Sequence, residues 1–195
     1  MTHHLIHLIS GEPFDYSDPF AGTITVHDVA HALARINRYG GHHAAPDWSV
    51  AAHTLLVASI VGGRYKDKRS RFGALHHDDA EFVTGDWPTP LKDYIRDHGF
   101  DFAEIERPIE AAVGAALGYS IDELHTSAVK DADALAYEIE IRFLKPSGYA
   151  SRADVDDETM EWALPLMRAL VAMDAPEIED LWLHCHTQLV TGAWA

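Results

Sequence analysis

The feature that most constrains the fold of this chain is a series of apolar stripes at helical spacing, each closed by glycine or proline. In the first, Val26, Val29, Leu33 and Ile36 lie three or four residues apart and precede a pair of glycines. This spacing places the four side chains on one helix face, and glycine is typical of helix ends. Alternating strand patterns are nearly absent. The sequence therefore predicts an all-α, single-domain helical bundle.

The same criteria divide the rest of the chain. Residues 1–24 are predicted to be an irregular or extended lead-in, because glycine, proline and aspartate recur there, and residues 25–195 to form the helical domain. Predicted helices cover, in order, 25–38, 49–62, 72–83, 89–96, 102–117, 122–144, 156–172 and 176–189. Lys145-Pro146-Ser147-Gly148 is the predicted stop of the longest helix. Pro108 predicts a kink or a split near Arg107, and Pro165 a second kink. Trp162 and Trp182 are expected in the core.

Charge and composition limit the partners. With 195 residues, the chain is long enough for one domain with a substantial core. Its 31 acidic and 15 basic residues give a formal net charge of −16, which repels a nucleic-acid polymer. A small anionic substrate requires a metal ion and a few cations that reverse the sign locally. The single cysteine, Cys185, excludes an internal disulfide and fits a cytoplasmic location. No apolar run approaches the roughly 20 residues that span a bilayer, and no signal peptide is recognisable.

One stretch, from Leu75 to Lys92, combines ionisable residues with a turn signal. If its first half is helical, His77 and Glu81 lie one turn apart and Asp78 lies beside them. Such a group can bind a divalent metal ion and hold a general base next to it. Taken alone, the fragment fits a solvated helix face better.

Further polar residues interrupt apolar helix faces. His53 lies in the stripe of the second helix, and Asp133 lies among alanines and a leucine, where burial is costly without a partner or a metal. Together with His77 and Asp78, they provide two imidazoles and two carboxylates from three helices, a set that can build an internal metal site. This mixed set suits Mn, Co, Fe, Ni or Mg better than a closed structural zinc site. Asp79 is predicted to face solvent or to support the ligands.

A row of polar residues lies along the first predicted helix. His27, His31, Arg35 and Arg38 lie at steps of four, four and three residues, away from the apolar stripe. Solvent is the expected environment of such a row. Arg38 is the exception, because it lies at the helix end, where the following glycines let a ligand approach.

The order His…His-Asp…Asp resembles the HD-domain superfamily of metal-dependent phosphohydrolases. Longer blocks between residues 25 and 145 are similar to the bacterial HD-domain 5′-deoxynucleotidases. These blocks are Asn37-Arg38-Tyr39, Ser49-Val50-Ala51-Ala52-His53, His76-His77-Asp78-Asp79-Ala80-Glu81, Thr84-Gly85-Asp86-Trp87-Pro88-Thr89-Pro90-Leu91-Lys92 and Lys130-Asp131-Ala132-Asp133. The chain departs from this family at Tyr39, where tryptophan is typical, and the base and sugar preference is left open.

The resemblance implies a function for each matching residue. The implied ligands of one divalent ion (Co, Mn, Mg, Fe, Ni or Zn) are His53, His77, Asp78 and Asp133. Glu81 would position or deprotonate the attacking water, Arg38 would bind the phosphate, and Asp86 would bind the sugar 3′-hydroxyl. The expected catalytic residues are Glu81, Arg38 and Asp78. The expected substrate-binding residues are Arg38, Tyr39, Asp86, Trp87, Thr89 and Lys92.

The expected activity is hydrolysis of the 5′-phosphate of (deoxy)nucleoside monophosphates by a cytoplasmic homodimer. Two alternatives stay open: a nucleoside triphosphohydrolase or pyrophosphohydrolase of the same family, and a non-catalytic nucleotide-binding module. Retention of Glu81 argues against the module, since a pure binder has no use for a carboxylate that activates water. A di-iron oxidase is disfavoured, because only His98 and His125 lie between the His-Asp pair and Asp133.

Overall fold

A helix at residues Val50–Arg64 lies at the centre of the fold, and its composition explains why. Between positions 50 and 61 every residue except Ser59 is buried. A helix that is apolar on all sides has to be surrounded by other elements. A computed structural model describes residues 4–64, 67–145 and 150–192 of the protein, and in it five other helices pack around this one.

The elements form a short antiparallel hairpin followed by helices. In chain order they are β1 (Leu5–His7), β2 (Pro13–Asp15), α1 (Val26–Leu33), α2 (Val50–Arg64), α3 (Lys68–His76), α4 (Glu81–Thr84), α5 (Thr89–Asp97), α6 (Ala103–Leu117), α7 (Ile121–Leu124), α8 (Ser127–Leu144), α9 (Asp157–Ala172) and α10 (Ala175–Thr191). A 3-10 turn at Arg38–Gly41 lies between α1 and α2. The predicted all-α, single-domain helical bundle is confirmed.

One hydrophobic core joins the helices. α2 packs against α3, α8, α9 and α10, and Trp182 of α10 is fully buried, with its indole N–H donating to Thr54 of α2 over 3.0 Å. The prediction that Trp162 lies in the core is wrong, because this side chain is 40% exposed. The inward face of α9 follows Thr159, Ala163 and Met167 at a spacing of four residues, and Trp162 lies off that face.

The N-terminal hairpin braces α4. Phe14 is buried and its ring makes an edge contact with Phe82, at 5.6 Å between centroids. The Tyr16 hydroxyl donates to the Val83 carbonyl over 2.6 Å. Residues 4–24 therefore support the segment that leads into the predicted site.

Several helix boundaries differ from the predictions. α1 ends at Leu33, not near Arg38, since Asn37 forms a β-bridge with Ser49. The predicted helix over 122–144 is divided into α7 and α8, because the Thr126 side chain caps the first turn of α8 by accepting from the Val129 N–H. α6 continues through Pro108, so the predicted split near Arg107 is wrong. Residues 146–148 of the predicted stop signal lie outside the described residues.

The most consequential difference concerns the predicted helix over 72–83. α3 ends at His76, a turn follows, and α4 begins only at Glu81. His77, Asp78 and Glu81 therefore do not share one helical face. The turn, and not helical spacing, determines where these side chains lie.

Candidate metal centre and active site

Four side chains from three segments meet at one corner of the bundle. His53 comes from α2, His77 and Asp78 from the turn after α3, and Asp133 from α8. The Nε2 atom of His53 lies 3.1 Å from Oδ1 of Asp133 and 3.6 Å from Oδ2 of Asp78. The Nε2 atom of His77 lies 3.4 Å from Oδ2 of Asp78 and 3.8 Å from Oδ1 of Asp133. All four residues predicted as metal ligands are thus brought together.

The hydrogen bonds of the two imidazoles determine which nitrogen faces this corner. Nδ1 of His77 lies 2.8 Å from the Ala74 carbonyl, which can only accept, so Nδ1 carries the proton. Nδ1 of His53 lies 2.6 Å from the Glu140 carboxylate, which favours the same tautomer. Both Nε2 atoms are buried and have no hydrogen-bond partner within the described ranges. Two nitrogen lone pairs and two carboxylates therefore converge, a donor set that fits a divalent metal ion.

The electrostatics of this corner favour positive charge. Burial opposes protonation of His77, but the carboxylates of Asp78 and Asp133 outweigh it and raise the pKa of His77 to about 10. Burial likewise opposes ionisation of Asp133, yet His53 and His77 hold the pKa of this carboxyl well below its usual range. The carboxylates that favour a proton on His77 would also stabilise a divalent metal ion bound in its place.

A buried glutamate supports the corner from behind and was not among the predicted site residues. Glu140 is fully buried, accepts from Nδ1 of His53, and accepts from the Tyr39 hydroxyl over 2.5 Å. Its Oε2 also lies 3.6 Å from Nε of Arg38. Glu140 follows Asp133 by seven residues, two helical turns, and therefore lies on the same face of α8. That spacing is the sequence signal that could have identified it.

Arg38 is fixed at the mouth of the corner by the loop before α2. Its Nη1 lies 3.3 Å from Oδ2 of Asp78, and its side chain is only 13% exposed. The backbone N–H of Arg38 donates to the Trp48 carbonyl over 2.9 Å. The Asn37 side-chain oxygen in turn accepts from the Trp48 N–H at 3.1 Å and pairs with the His43 ring at 2.7 Å. The guanidinium is therefore positioned before any ligand arrives.

Tyr39 adopts a strained backbone conformation next to Arg38. Its φ of +57° lies in the left-handed region, which non-glycine residues rarely occupy. Two carboxylates hold it there, because its N–H donates to Asp86 over 2.9 Å and its hydroxyl donates to Glu140. Asp86 thus anchors the turn that carries Arg38. Its predicted contact with a sugar hydroxyl stays a prediction.

A cavity of about 240 Å³ opens onto this corner. The residues that line it are Arg38, Tyr39, Asp78, Glu81, Asp86, Trp87, Pro88, Thr89, Lys92, Asp133, Tyr137 and Arg152. Every residue predicted to be catalytic or substrate-binding is among them. A neighbouring cavity of about 230 Å³ is lined by His77 and shares Asp78, Glu81, Lys92 and Asp133 with the first. The candidate metal centre therefore lies between two solvent-accessible spaces.

Three residues of the cavity wall were not predicted as site residues: Pro88, Tyr137 and Arg152. Tyr137 of α8 carries the Arg152 guanidinium over its ring, at 4.7 Å from the ring centroid. The backbone N–H of Arg152 donates to the buried Glu138 carboxylate over 2.9 Å, and so does the Ser151 hydroxyl over 2.7 Å. Arg152 thus places a cation on the cavity wall.

Glu81 is buried at the edge of the candidate centre. Its Oε2 atom has no hydrogen-bond partner in the described chain. Burial, followed by the charges of Asp78 and Asp86, raises the pKa of Glu81 well above its ordinary value. Lys92 lies nearby, with its ammonium 2.6 Å from Glu106. A raised pKa makes this carboxylate a stronger proton acceptor than an ordinary glutamate.

The histidine and aspartate that flank the His77-Asp78 pair point the other way. His76 and Asp79 are fully buried and joined over 2.7 Å. Asp79 also accepts from the Tyr119 hydroxyl over 2.8 Å, and Nε2 of His76 lies 3.0 Å from Nδ1 of His186. Of the two predicted placements of Asp79, exposure to solvent is wrong, because the hydrogen bonds of this carboxylate tie α3 to Tyr119 and not to the cavity.

Fold and site together define a mainly helical protein with a mixed imidazole and carboxylate cluster that could hold a metal ion. No protein-family model matches the chain, but individual proteins do. An uncharacterized protein of Rhodobacter capsulatus is 33% identical over 68% of this chain and 69% of that protein. The uncharacterized protein YfdR of Escherichia coli is 30% identical over 71% of each. A 5′-deoxynucleotidase of Erwinia tasmaniensis is 30% identical over 56% of this chain and 68% of that enzyme.

These similarities extend over more than two thirds of each relative. The chain belongs to the 5′-deoxynucleotidase-like family that includes the Erwinia enzyme. Nucleotide phosphohydrolase activity is therefore supported at the level of the family. Among the described helices, none combines the length and the apolar character needed to cross a membrane.

Proposed function

We propose that this protein is a metal-dependent phosphohydrolase of the HD-domain type that removes the 5′-phosphate from (deoxy)nucleoside monophosphates. One observation carries the proposal: two unpartnered imidazole nitrogens and two carboxylates converge beside the ordered guanidinium of Arg38. The Erwinia relative that is named a 5′-deoxynucleotidase supports the choice of substrate.

The chemistry follows from the positions of the side chains. A divalent ion held by His53, His77, Asp78 and Asp133 would acidify a bound water and polarise a phosphoryl oxygen. Arg38 offers a planar fork of donors that matches phosphate oxygens. Phosphoryl transfer depends mainly on positioning and charge stabilisation. The local positive charge is needed here because the protein as a whole, with a net charge of −16, repels a phosphate group.

The remaining residues of the cavity complete the proposed reaction. Glu81 takes the proton of the attacking water, since this buried carboxylate lines the cavity, its Oε2 has no hydrogen-bond partner among the described residues, and its raised pKa makes it a stronger base than an ordinary glutamate. Glu140 keeps Nε2 of His53 free for the ion by holding the proton on Nδ1. Tyr39, Asp86, Trp87, Thr89 and Lys92 form the wall that would contact the sugar, the base and the remaining phosphate charge.

The test is phosphate release from a panel of nucleoside monophosphates and triphosphates by chelated protein, with Mn²⁺, Co²⁺, Mg²⁺ or Zn²⁺ restored one at a time. We expect inorganic phosphate from monophosphates, and only after metal is added. Arg38→Ala is expected to abolish turnover with metal content intact, whereas Arg69→Ala, whose side chain is 77% exposed, is the matched control. Nucleotide binding without turnover under every metal would instead identify a non-catalytic module.

A triphosphohydrolase is the second candidate, and Arg152 is the observation that favours it. This guanidinium lines the cavity and forms no ion pair with any described carboxylate, so it is available to a longer phosphate chain. If so, Arg152→Gln raises KM for triphosphates and leaves monophosphate hydrolysis unchanged. Chromatography of the products distinguishes phosphate from pyrophosphate or tripolyphosphate. The homodimeric state and the cytoplasmic location stay predictions, and sedimentation of the purified protein tests the first.

A further inference from the structure

The polar row on α1 meets a buried carboxylate on the side of the bundle formed by α1 and α10. His27 and His31 lie one turn apart on α1, and Glu179 of α10 reaches both. Nε2 of His27 lies 3.1 Å from Oε1 of Glu179, and Nδ1 of His31 lies 3.2 Å from Oε2. Only 8% of Glu179 is exposed. The catalytic mechanism proposed above uses none of these residues.

The spacing of these ligand atoms matches that of a metal site. One atom from each of the three residues lies within 4.8 Å of the other two. Ligands about 2.0–2.2 Å from a tetrahedral zinc ion are separated by roughly 3.3–3.6 Å, close to the distances from each imidazole to the carboxylate. Two histidines at positions i and i+4 on one helix face are a common basis for zinc binding.

The contact between His27 and Glu179 is not a hydrogen bond. The two groups lie within ion-pair distance, and His27 makes no hydrogen bond within the described ranges. His27 is also half exposed, at 55% of its side chain, so an ion from solvent can reach it. Simple packing of α1 on α10 does not require a second histidine at this point.

We propose that His27, His31 and Glu179 form a second metal site, which takes a divalent transition-metal ion such as Zn²⁺, with water completing its coordination. Two imidazoles and one carboxylate are a ligand set that zinc uses in proteins. The ion joins α1 to α10. Because α1 leads within five residues to Arg38, the site also stiffens the segment that carries the guanidinium.

Arg35 sets the strength of this site. Its Nη1 lies 2.6 Å from Oε2 of Glu179 and neutralises part of the carboxylate charge, while Oε1 stays directed at His27. The expected affinity for the ion is therefore lower than for the same ligand set without a neighbouring cation. The site differs from the candidate catalytic centre in every residue, so the two can be removed separately.

The test compares zinc binding by the full-length wild type with His27→Gln and His31→Gln. Zinc stoichiometry is measured by equilibrium dialysis and elemental analysis, and the melting temperature is measured with and without zinc. Each variant is expected to bind one zinc ion fewer per chain than the wild type and to lose part of the zinc-induced rise in melting temperature. His184→Gln is the matched control, since His184 is an exposed histidine on the same α10 helix. It is expected to bind as many ions as the wild type.

The two variants protect the test against misfolding. His31 makes a hydrogen bond to Glu179, so His31→Gln can lower stability by itself, whereas His27 has none to lose. Wild-type zinc stoichiometry in His27→Gln, or an equal loss in His184→Gln, overturns the proposal. A proposed nucleotidase activity that fails leaves this result unaffected, because zinc is counted without substrate.

Discussion

The sequence His76-His77-Asp78-Asp79 contains two histidine–aspartate pairs of the same chemistry that face opposite sides. The inner pair, His76 and Asp79, is fully buried, and the hydroxyl of Tyr119 and the ring of His186 complete its hydrogen bonds. Oδ1 of Asp79 is its one atom without a partner among the described residues. The outer pair, His77 and Asp78, faces the cavity. Nε2 of His77 has no hydrogen-bond partner among the described residues.

This difference separates a structural role from a chemical one. The protein itself satisfies the inner pair, as buried polar groups normally require. The outer pair has no such partner for Nε2 of His77 among the described residues, and the metal ion proposed beside Asp78 and Asp133 would be that partner. Residue type alone does not distinguish the two pairs, whereas hydrogen bonding does.

The largest effect is expected from the outer pair's partner on α8. Asp133→Asn keeps the shape of the side chain but removes the charge that faces His53 and His77. We expect metal retention and turnover to fall to background. The metal-free variant should also melt below the metal-free wild type, because the ionised Asp133 interacts with His53 and His77 even without metal; metal content per folded molecule is therefore the measurement that decides. Retained metal content would show that Asp133 is not a ligand.

A substitution in the inner pair should lower the free energy of unfolding and leave the catalytic activity unchanged. Asp79→Ala leaves a buried imidazole and a buried phenol without their acceptor. Removing one partner from such a buried network costs about 3–5 kcal/mol, and urea unfolding measures the loss. Activity per folded molecule should stay at the wild-type level. A stable but inactive variant would contradict the division between the two pairs.

Glu140 tests how the candidate metal centre beside the outer pair depends on the support of His53. Glu140→Gln keeps the volume but can place an amide N–H toward His53, which would disturb the tautomer that presents Nε2 to the centre. A loss of about 10- to 100-fold in metal affinity is typical of such a supporting residue. Competition with a chelator measures it. Glu138→Gln on the same helix is the control, since Glu138 binds residues 151 and 152 instead.

Tyr119→Phe weakens the inner pair by one hydrogen bond. Asp79 keeps its contact with His76, so the expected loss is about 1.5 kcal/mol, the scale of a hydrogen bond to a charged group. The urea midpoint should fall less than in Asp79→Ala, and metal affinity should not change. An equal loss of stability in both variants would mean that the Tyr119 hydroxyl contributes most of the stability of this hydrogen-bond network.

The sequence predicted which residues meet but not how the backbone brings them together. His53 and Asp133 were identifiable because a polar group in an apolar stripe requires a partner. The end of α3 at His76 was not, because it depends on tertiary contacts of the turn that no local pattern records. Glu140 escaped for a related reason. A glutamate in a long helix is ordinarily solvated. Its spacing of seven residues from Asp133 signals a shared helix face, but the contacts with His53, Tyr39 and Arg38 depend on how the helices pack.

The smallest effect concerns the dependence of stability on pH at the edge of the inner pair. Burial, together with the neighbouring His76, lowers the pKa of His186 to about 4 from an ordinary value of 6.5. The unfolded chain therefore takes up a proton at a higher pH than the folded protein. The contribution of His186 is present above pH 6.5 and is lost as pH falls toward 4.

In metal-free protein, His77 affects stability with the opposite dependence on pH. The pKa of His77 is raised to about 10, so its contribution to stability is present at low pH and is lost as pH rises toward 10.

From the lowered pKa of His186 we expect the difference in urea midpoint between wild type and His186→Gln to be largest at pH 7 and to shrink toward pH 4.5. Chelated protein is used so that metal release does not contribute. The effect is small because His186 is only half-buried and solvent screens it. A difference that widens on acidification would mean that His186 is protonated in the folded state, and the inner pair would then be an open, titrating network like the outer one.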